Sequence, residues 1–151
     1  MKTNLSKRMT VTTVFVILAG VFNIVIMLLD TQNYIKGGRW NEEWYVWKVL
    51  ILGGYNLFGL MINVLPMLFM LSSIKTMKSG EFFSKSNAKI LWLTVPICFL
   101  YNLCRANLPV VLGCPRCIIY PDTLFVPLLL IGFAMIYSTG VRLSEENRLT
   151  V

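Results

Sequence analysis

Residues 50–74 read LILGGYNLFGLMINVLPMLFMLSSI, with Lys48 just before them and Lys75 just after. No side chain in this run carries a charge. An α-helix rises about 1.5 Å per residue, and the hydrocarbon core of a bilayer is about 30 Å thick, so about 20 apolar residues span it. A run this long is apolar all round rather than along one stripe, as a lipid-embedded helix is. The stretch therefore predicts a membrane-spanning helix, and the rest of the chain is read from it.

Three further stretches meet the same criterion. They are 11–29, bounded by Lys7-Arg8 and Asp30; 90–112, bounded by Lys89 and Gly113; and 123–141, bounded by Asp122 and Arg142. The first follows a basic start, as a signal peptide does. Its apolar run is longer than a signal peptide's, and its exit, Leu28-Leu29-Asp30-Thr31, lacks a small-x-small cleavage pattern, so it is read as an uncleaved helix. Composition agrees: 56% of the 151 residues are hydrophobic and 14% charged. That excludes a disordered chain, which lacks apolar residues, and a soluble domain, which needs more polar residues to cover itself. The expectation is one all-α domain, an integral membrane four-helix bundle over residues 1–151.

Loop charges set the orientation of such a bundle. Lys2, Lys7, Arg8, Lys75, Lys78, Lys85, Lys89, Arg142 and Arg148 fall on one side with three acids, a net of +6. Lys36, Arg39, Lys48 and Arg116 fall on the other with four acids, a net of zero. The basic side faces the cytoplasm, which places both termini there. The formal net charge of +7 is thus explained by the inner membrane face plus one intramembrane arginine, and direct nucleic-acid binding is not implied. There is no Gly-rich phosphate loop and no internal repeat.

The loops carry local signals. Asn41 is a good helix N-cap, followed by Glu42 and Glu43, so the second helix is expected to begin near Glu42. Trp40, Trp44, Tyr45 and Trp47 form an interfacial aromatic belt, with a ligand-binding aromatic cage as the alternative. Gly53-Gly54 is the expected bend. In the second loop, Lys78 and Gly80 mark a helix end, Ser84 is an N-cap candidate for the third helix, and Phe82 and Phe83 dip into the interface. Its lysines act as topology determinants or attract anionic lipid.

Polar residues inside spans are costly and therefore informative. Asn56, Gly59, Asn63 and Pro66 share one face of the second helix; Cys98, Asn102, Arg105 and Pro109 share one face of the third; Asn23 lies in the first. Asn23, Asn56, Asn63, Asn102 and Arg105 are expected to form one polar layer in the outer half of the bundle. Arg105 is the only charged residue inside a span, with Asp30 and Asp122 near the outer surface as partners within reach. The layer serves either as hydrogen-bonded glue between helices or as a substrate or ion site. With no His and no acid in a span, a proton-coupled transporter is disfavoured.

The four cysteines are Cys98, Cys104, Cys114 and Cys117. A structural zinc site wants four ligands, and no His completes one, so no metal is expected. Cys114-Pro115-Arg116-Cys117 is a C-x-x-C ahead of the fourth span, where Arg116 would stabilise a thiolate. Its placement resembles that in quinone-linked disulfide-generating membrane proteins, which are also four-helix bundles. The first outer loop, however, has no cysteine to pass electrons to a soluble partner. Cys114 and Cys117 are therefore kept as an alternative redox pair.

Two segments carry a second resemblance. Gly80-Glu81-x-Phe83-Ser84-x-x-Asn87-x-Lys89 and the ending Leu143-Ser144-Glu145-Glu146-Asn147-Arg148-Leu149-Thr150-Val151 resemble the loop motif and C-terminus of a bacterial membrane family catalogued as domain of unknown function 2975. Length and four-span layout agree; the Cys114–Cys117 pair is a departure. The family has no established activity, and its members often sit beside a small helix-turn-helix regulator. The resemblance implies an inner-membrane protein with a regulatory or interaction role rather than catalysis, and no cofactor. Gly80, Glu81, Phe83, Ser84, Asn87 and Lys89, with Glu145, Glu146, Leu149 and Thr150 of the tail, would then face a cytoplasmic partner. That partner is a helix-turn-helix regulator or another membrane protein. Alternatives are the redox protein and an oligomeric small-molecule or ion conduit.

Overall fold

The computed structural model describes residues 2–40, 44–78, 83–114 and 121–149. Among them are α1 (Lys2–Gly37), α2 (Tyr45–Lys78), α3 (Lys85–Ala106), a 3-10 turn (Leu108–Leu112) and α4 (Pro121–Leu149), and no strand. Four segments are long and apolar enough to cross a membrane, the third being α3 together with the 3-10 turn. That is the make-up of a multi-pass membrane protein.

The helices overrun the apolar stretches that announced them. α1 has 36 residues against the 19 expected from 11–29, and α2 has 34 against 25. A helix satisfies its own backbone, so nothing ends it at the hydrocarbon edge; it continues until a residue breaks it. At about 1.5 Å per residue, α1 is about 54 Å long and projects beyond the core of a bilayer.

Two local expectations change. The third span was read as continuous over 90–112, yet α3 stops at Ala106. Pro109 has no N–H to give and crowds the carbonyl four residues back, so the chain tightens into the 3-10 turn, which Gly113 closes at φ 97°. α2 begins at Tyr45 rather than near Glu42. Trp44 sits at φ 73°, a left-handed conformation that a helix cannot run through; the expected cap Asn41, with Glu42 and Glu43, lies outside the described residues. Gly53 and Gly54, the expected bend, are helical residues of α2. At Gly54 a Cβ would lie 2.7 Å from Cys104 Sγ, so the residue provides clearance for α3. Ser84 is the expected N-cap: its hydroxyl accepts from Asn87 N–H at 3.2 Å.

α1 packs on α2, α2 on α3 and α3 on α4, while among the described residues no Cα of α1 comes within 8 Å of a Cα of α4. The first and last helices are therefore spaced further apart than sequential neighbours. Its core, away from the termini, is Met27, Leu52, Tyr55, Leu108 and Val111. Tyr55 stacks on Tyr101 with ring centroids 5.6 Å apart. Arg39 N–H donates to Val111 O at 3.1 Å, and the buried Lys48 ammonium donates to Arg39 O, tying the α1–α2 loop over this core. Phe15, Phe22, Phe133 and Ile136 stand exposed. Such a surface is unfavourable in water and costs nothing against lipid.

Gly59 and Gly53 provide an internal comparison. A Cβ on Gly59 would overlap Met27 Sδ and lie 3.1 Å from Tyr101, whereas one on Gly53 meets nothing within 4 Å. In thermal unfolding in detergent, Gly59→Ala is expected to destabilise by about 1–3 kcal/mol through overpacking. Gly53→Ala is expected to be neutral or to stabilise by up to about 1 kcal/mol.

Candidate functional site

Asn23, Met27, Asp30 and Tyr34 follow one another at i, i+4, i+7 and i+11 and so lie on one face of α1. That face forms one wall of a cleft of about 1010 Å³ in the half of the bundle away from the termini. α2 adds Tyr55, Ile62 and Asn63; α3 adds Tyr101, Asn102 and Arg105; the 3-10 turn adds Leu108 and Pro109; α4 adds Thr123 and Val126. From Asn23 to Tyr34 the cleft extends about 16 Å along α1.

Four of the five residues expected in a polar layer line this cleft: Asn23, Asn63, Asn102 and Arg105. Asn56 points elsewhere. The Thr31 hydroxyl lies 2.8 Å from both Asn56 Oδ1 and Met27 O, and Asn56 Nδ2 donates to Leu52 O at 2.8 Å. Asn56 thus joins α1 to α2 and is satisfied. Asn63 Nδ2 donates back to Gly59 O at 2.8 Å, and Asn102 Nδ2 lies 3.5 Å from Thr123 O on α4. Both keep their amide oxygens for the cleft.

Of the two acids expected within reach of Arg105, Asp30 shares its cleft. Because α1 continues past Leu29, Asp30 is a helical residue on the same cleft. The side chains of Arg105 and Asp30 make no hydrogen bond or ion pair with any described residue, nor with each other. Both lie within electrostatic range of the Tyr55 phenol. The cleft therefore holds one cationic and one anionic group, three amides and three tyrosines. The tyrosines Tyr34, Tyr55 and Tyr101 and Thr123 were not anticipated. The i, i+4, i+7, i+11 pattern on α1 was the available signal, and it crosses the apolar boundary at Asp30.

The three described cysteines form no disulfide. Cys98 is buried, Cys104 is half-buried against Gly54, and Cys114 is an exposed free thiol. Cys117 lies outside the described residues. Among the described residues no group of His, Cys, Asp and Glu is arranged to hold a metal ion.

At the opposite end the loop-motif residues hold the α2–α3 hairpin on α4. The Phe83 ring covers Gly140, where a Cβ would come within 2.7 Å of it, and meets Tyr137 edge-on at 5.3 Å. Tyr137 also packs edge-on against Phe69 at 5.7 Å and accepts from Ser84 N–H at 3.3 Å. Asn87 is fully buried; its Nδ2 donates to Ser73 Oγ at 2.9 Å, and its Oδ1 has no partner. Lys85 pairs with Glu145 at 2.8 Å and Arg142 with Glu146 at 3.0 Å, all four exposed, so these pairs add little stability. Lys89 is exposed and Leu149 is the last residue of α4. Gly80, Glu81, Phe82 and Thr150 lie outside the described residues.

Comparison with protein-family models, curated proteins and solved structures gives no match to this chain.

The two kinds of asparagine are separable by stability. Asn56→Leu removes an interhelical contact and is expected to cost about 0.6–1.7 kcal/mol in detergent unfolding, the range of polar contacts between membrane helices. Asn23→Leu, at a position that bonds no described residue, is expected to change stability by less than about 0.5 kcal/mol.

Proposed function

We propose that the chain is a multi-pass protein of a bacterial inner membrane, with both termini in the cytoplasm. It acts as a regulatory or interaction partner, not as an enzyme. The observation that carries this reading is the joining of the α2–α3 hairpin to α4. Phe83 seated on Gly140, Ser84 bonded to Tyr137 and Lys85 paired with Glu145 make the hairpin and the final helical turns one continuous surface. The charge distribution supports its cytoplasmic location, and the resemblance to domain of unknown function 2975 supports a soluble partner such as a helix-turn-helix regulator. On this reading Phe83, Ser84 and Asn87 set the shape of the surface. The exposed Lys85, Lys89, Glu145 and Glu146 are what a partner touches.

Deleting residues 145–151 is expected to abolish partner pulldown and alter expression of neighbouring genes while leaving membrane insertion intact; unchanged pulldown and expression would refute the proposal. Reporter fusions at both termini are expected to read as cytoplasmic.

Two further readings have observations of their own. The exposed Cys114 thiol favours an outer-face redox role with Cys117. Replacing both by Ser is expected to leave periplasmic disulfide formation unchanged if the regulatory reading holds, and to impair it if the redox reading does. The cleft favours a small-molecule or ion conduit, oligomeric if its open side is closed by a second copy. Vesicle flux that falls with Arg105→Ala is the expected outcome of that reading.

A further inference from the structure

We propose that the polar cleft binds the headgroup of a zwitterionic phospholipid, one bearing a phosphate ester and a primary ammonium, taken laterally from the bilayer between α1 and α4. Three observations carry this. First, Arg105 and Asp30 line the same cleft and the side chain of neither bonds a described residue. Arg105 lies inside the third apolar stretch, where an unpaired charge is costly, and Asp30 at the end of the first, so a ligand that neutralises both is favoured. A simple anion would meet Arg105 but be repelled by Asp30; a simple cation would meet the reverse. A headgroup with one charge of each sign suits the pair. The guanidinium forks onto phosphate oxygens, and the carboxylate accepts from the ammonium. Second, Tyr34, Tyr55 and Tyr101 line the cleft beside these groups, and aromatic rings attract ammonium. Third, no described Cα of α1 comes within 8 Å of one of α4 although both helices line the cleft, so the spacing between them is the route by which a lipid would enter, and Met27, Ile62 and Val126 give the cleft apolar wall for the start of the acyl chains.

The proposal rests on the membrane-spanning reading and not on the cytoplasmic partner surface, so deleting residues 145–151 should leave it untouched. The same headgroup chemistry occurs in free glycerophosphoethanolamine, a phosphodiester without acyl chains, and the test separates the two sources. Full-length protein in detergent is titrated with short-chain phosphatidylethanolamine, short-chain phosphatidylglycerol and free glycerophosphoethanolamine, and bound ligand is counted by native mass spectrometry. The expected result is one bound phosphatidylethanolamine per chain, preferred over phosphatidylglycerol by about tenfold, the scale of one charge-assisted contact. Arg105→Gln should weaken it about tenfold, and Asp30→Asn should erase the preference by admitting phosphatidylglycerol. Equal binding of the two lipids by the wild-type protein, or no binding, overturns the proposal, as does an unchanged preference in Asp30→Asn. Free glycerophosphoethanolamine binding as tightly as the lipid overturns the bilayer as the source; weaker binding supports it. Should either variant fail to fold, the wild-type preference decides alone.

Discussion

A backbone N–H or C=O placed in hydrocarbon has no water to bond, so a chain this apolar must satisfy its main chain within each crossing segment. The rest of the architecture follows from that requirement. It makes every crossing a helix, carries α1 and α2 well past their apolar stretches, and lets Pro66, Pro96 and Pro127 remain inside helices. In the third crossing segment the α-helix ends ahead of Pro109, which cannot donate, and a 3-10 turn tucks Val111 into the core.

Once the backbone is satisfied, lipid offers no hydrophobic drive to press helices together, and close packing and polar contacts do that instead. Gly20 meets Met67, Gly54 meets Cys104, Gly59 meets Met27 and Tyr101, and Gly140 meets Phe83. These are the places where neighbouring helices gain a side chain by giving up a Cβ. The Thr31–Asn56 contact joins α1 to α2, and Asn87–Ser73 joins α2 to α3. Each joins sequential helices, whereas no described Cα of α1 comes within 8 Å of one of α4. The polar cleft is lined from both of these helices.

The two ends of the molecule therefore differ in kind. At the hairpin end, aromatic and hydrogen-bond contacts lock α2, α3 and α4 into a single surface. At the other end, a tied-down loop and a 3-10 turn cover a small core beside an open cleft. The first suits docking of a folded partner; the second suits a small polar group.

Much of this was legible in the chain itself, and for a physical reason. Hydropathy and length decide a crossing segment locally, and Ser84 caps α3 with a side chain three residues from its donor. The common helix face of Asn102 and Arg105 was likewise readable from their spacing. What the sequence left undecided depends on contacts between distant residues. Asn56 belongs to a helix joint and not to the cleft because Thr31 happens to face it. Asp30 belongs to the cleft and not to a loop because α1 has no reason to stop at the hydrocarbon edge. The sequence by itself determined four helices; only the packing of those helices decided which polar groups they satisfy among themselves and which two opposite charges they leave facing a common space.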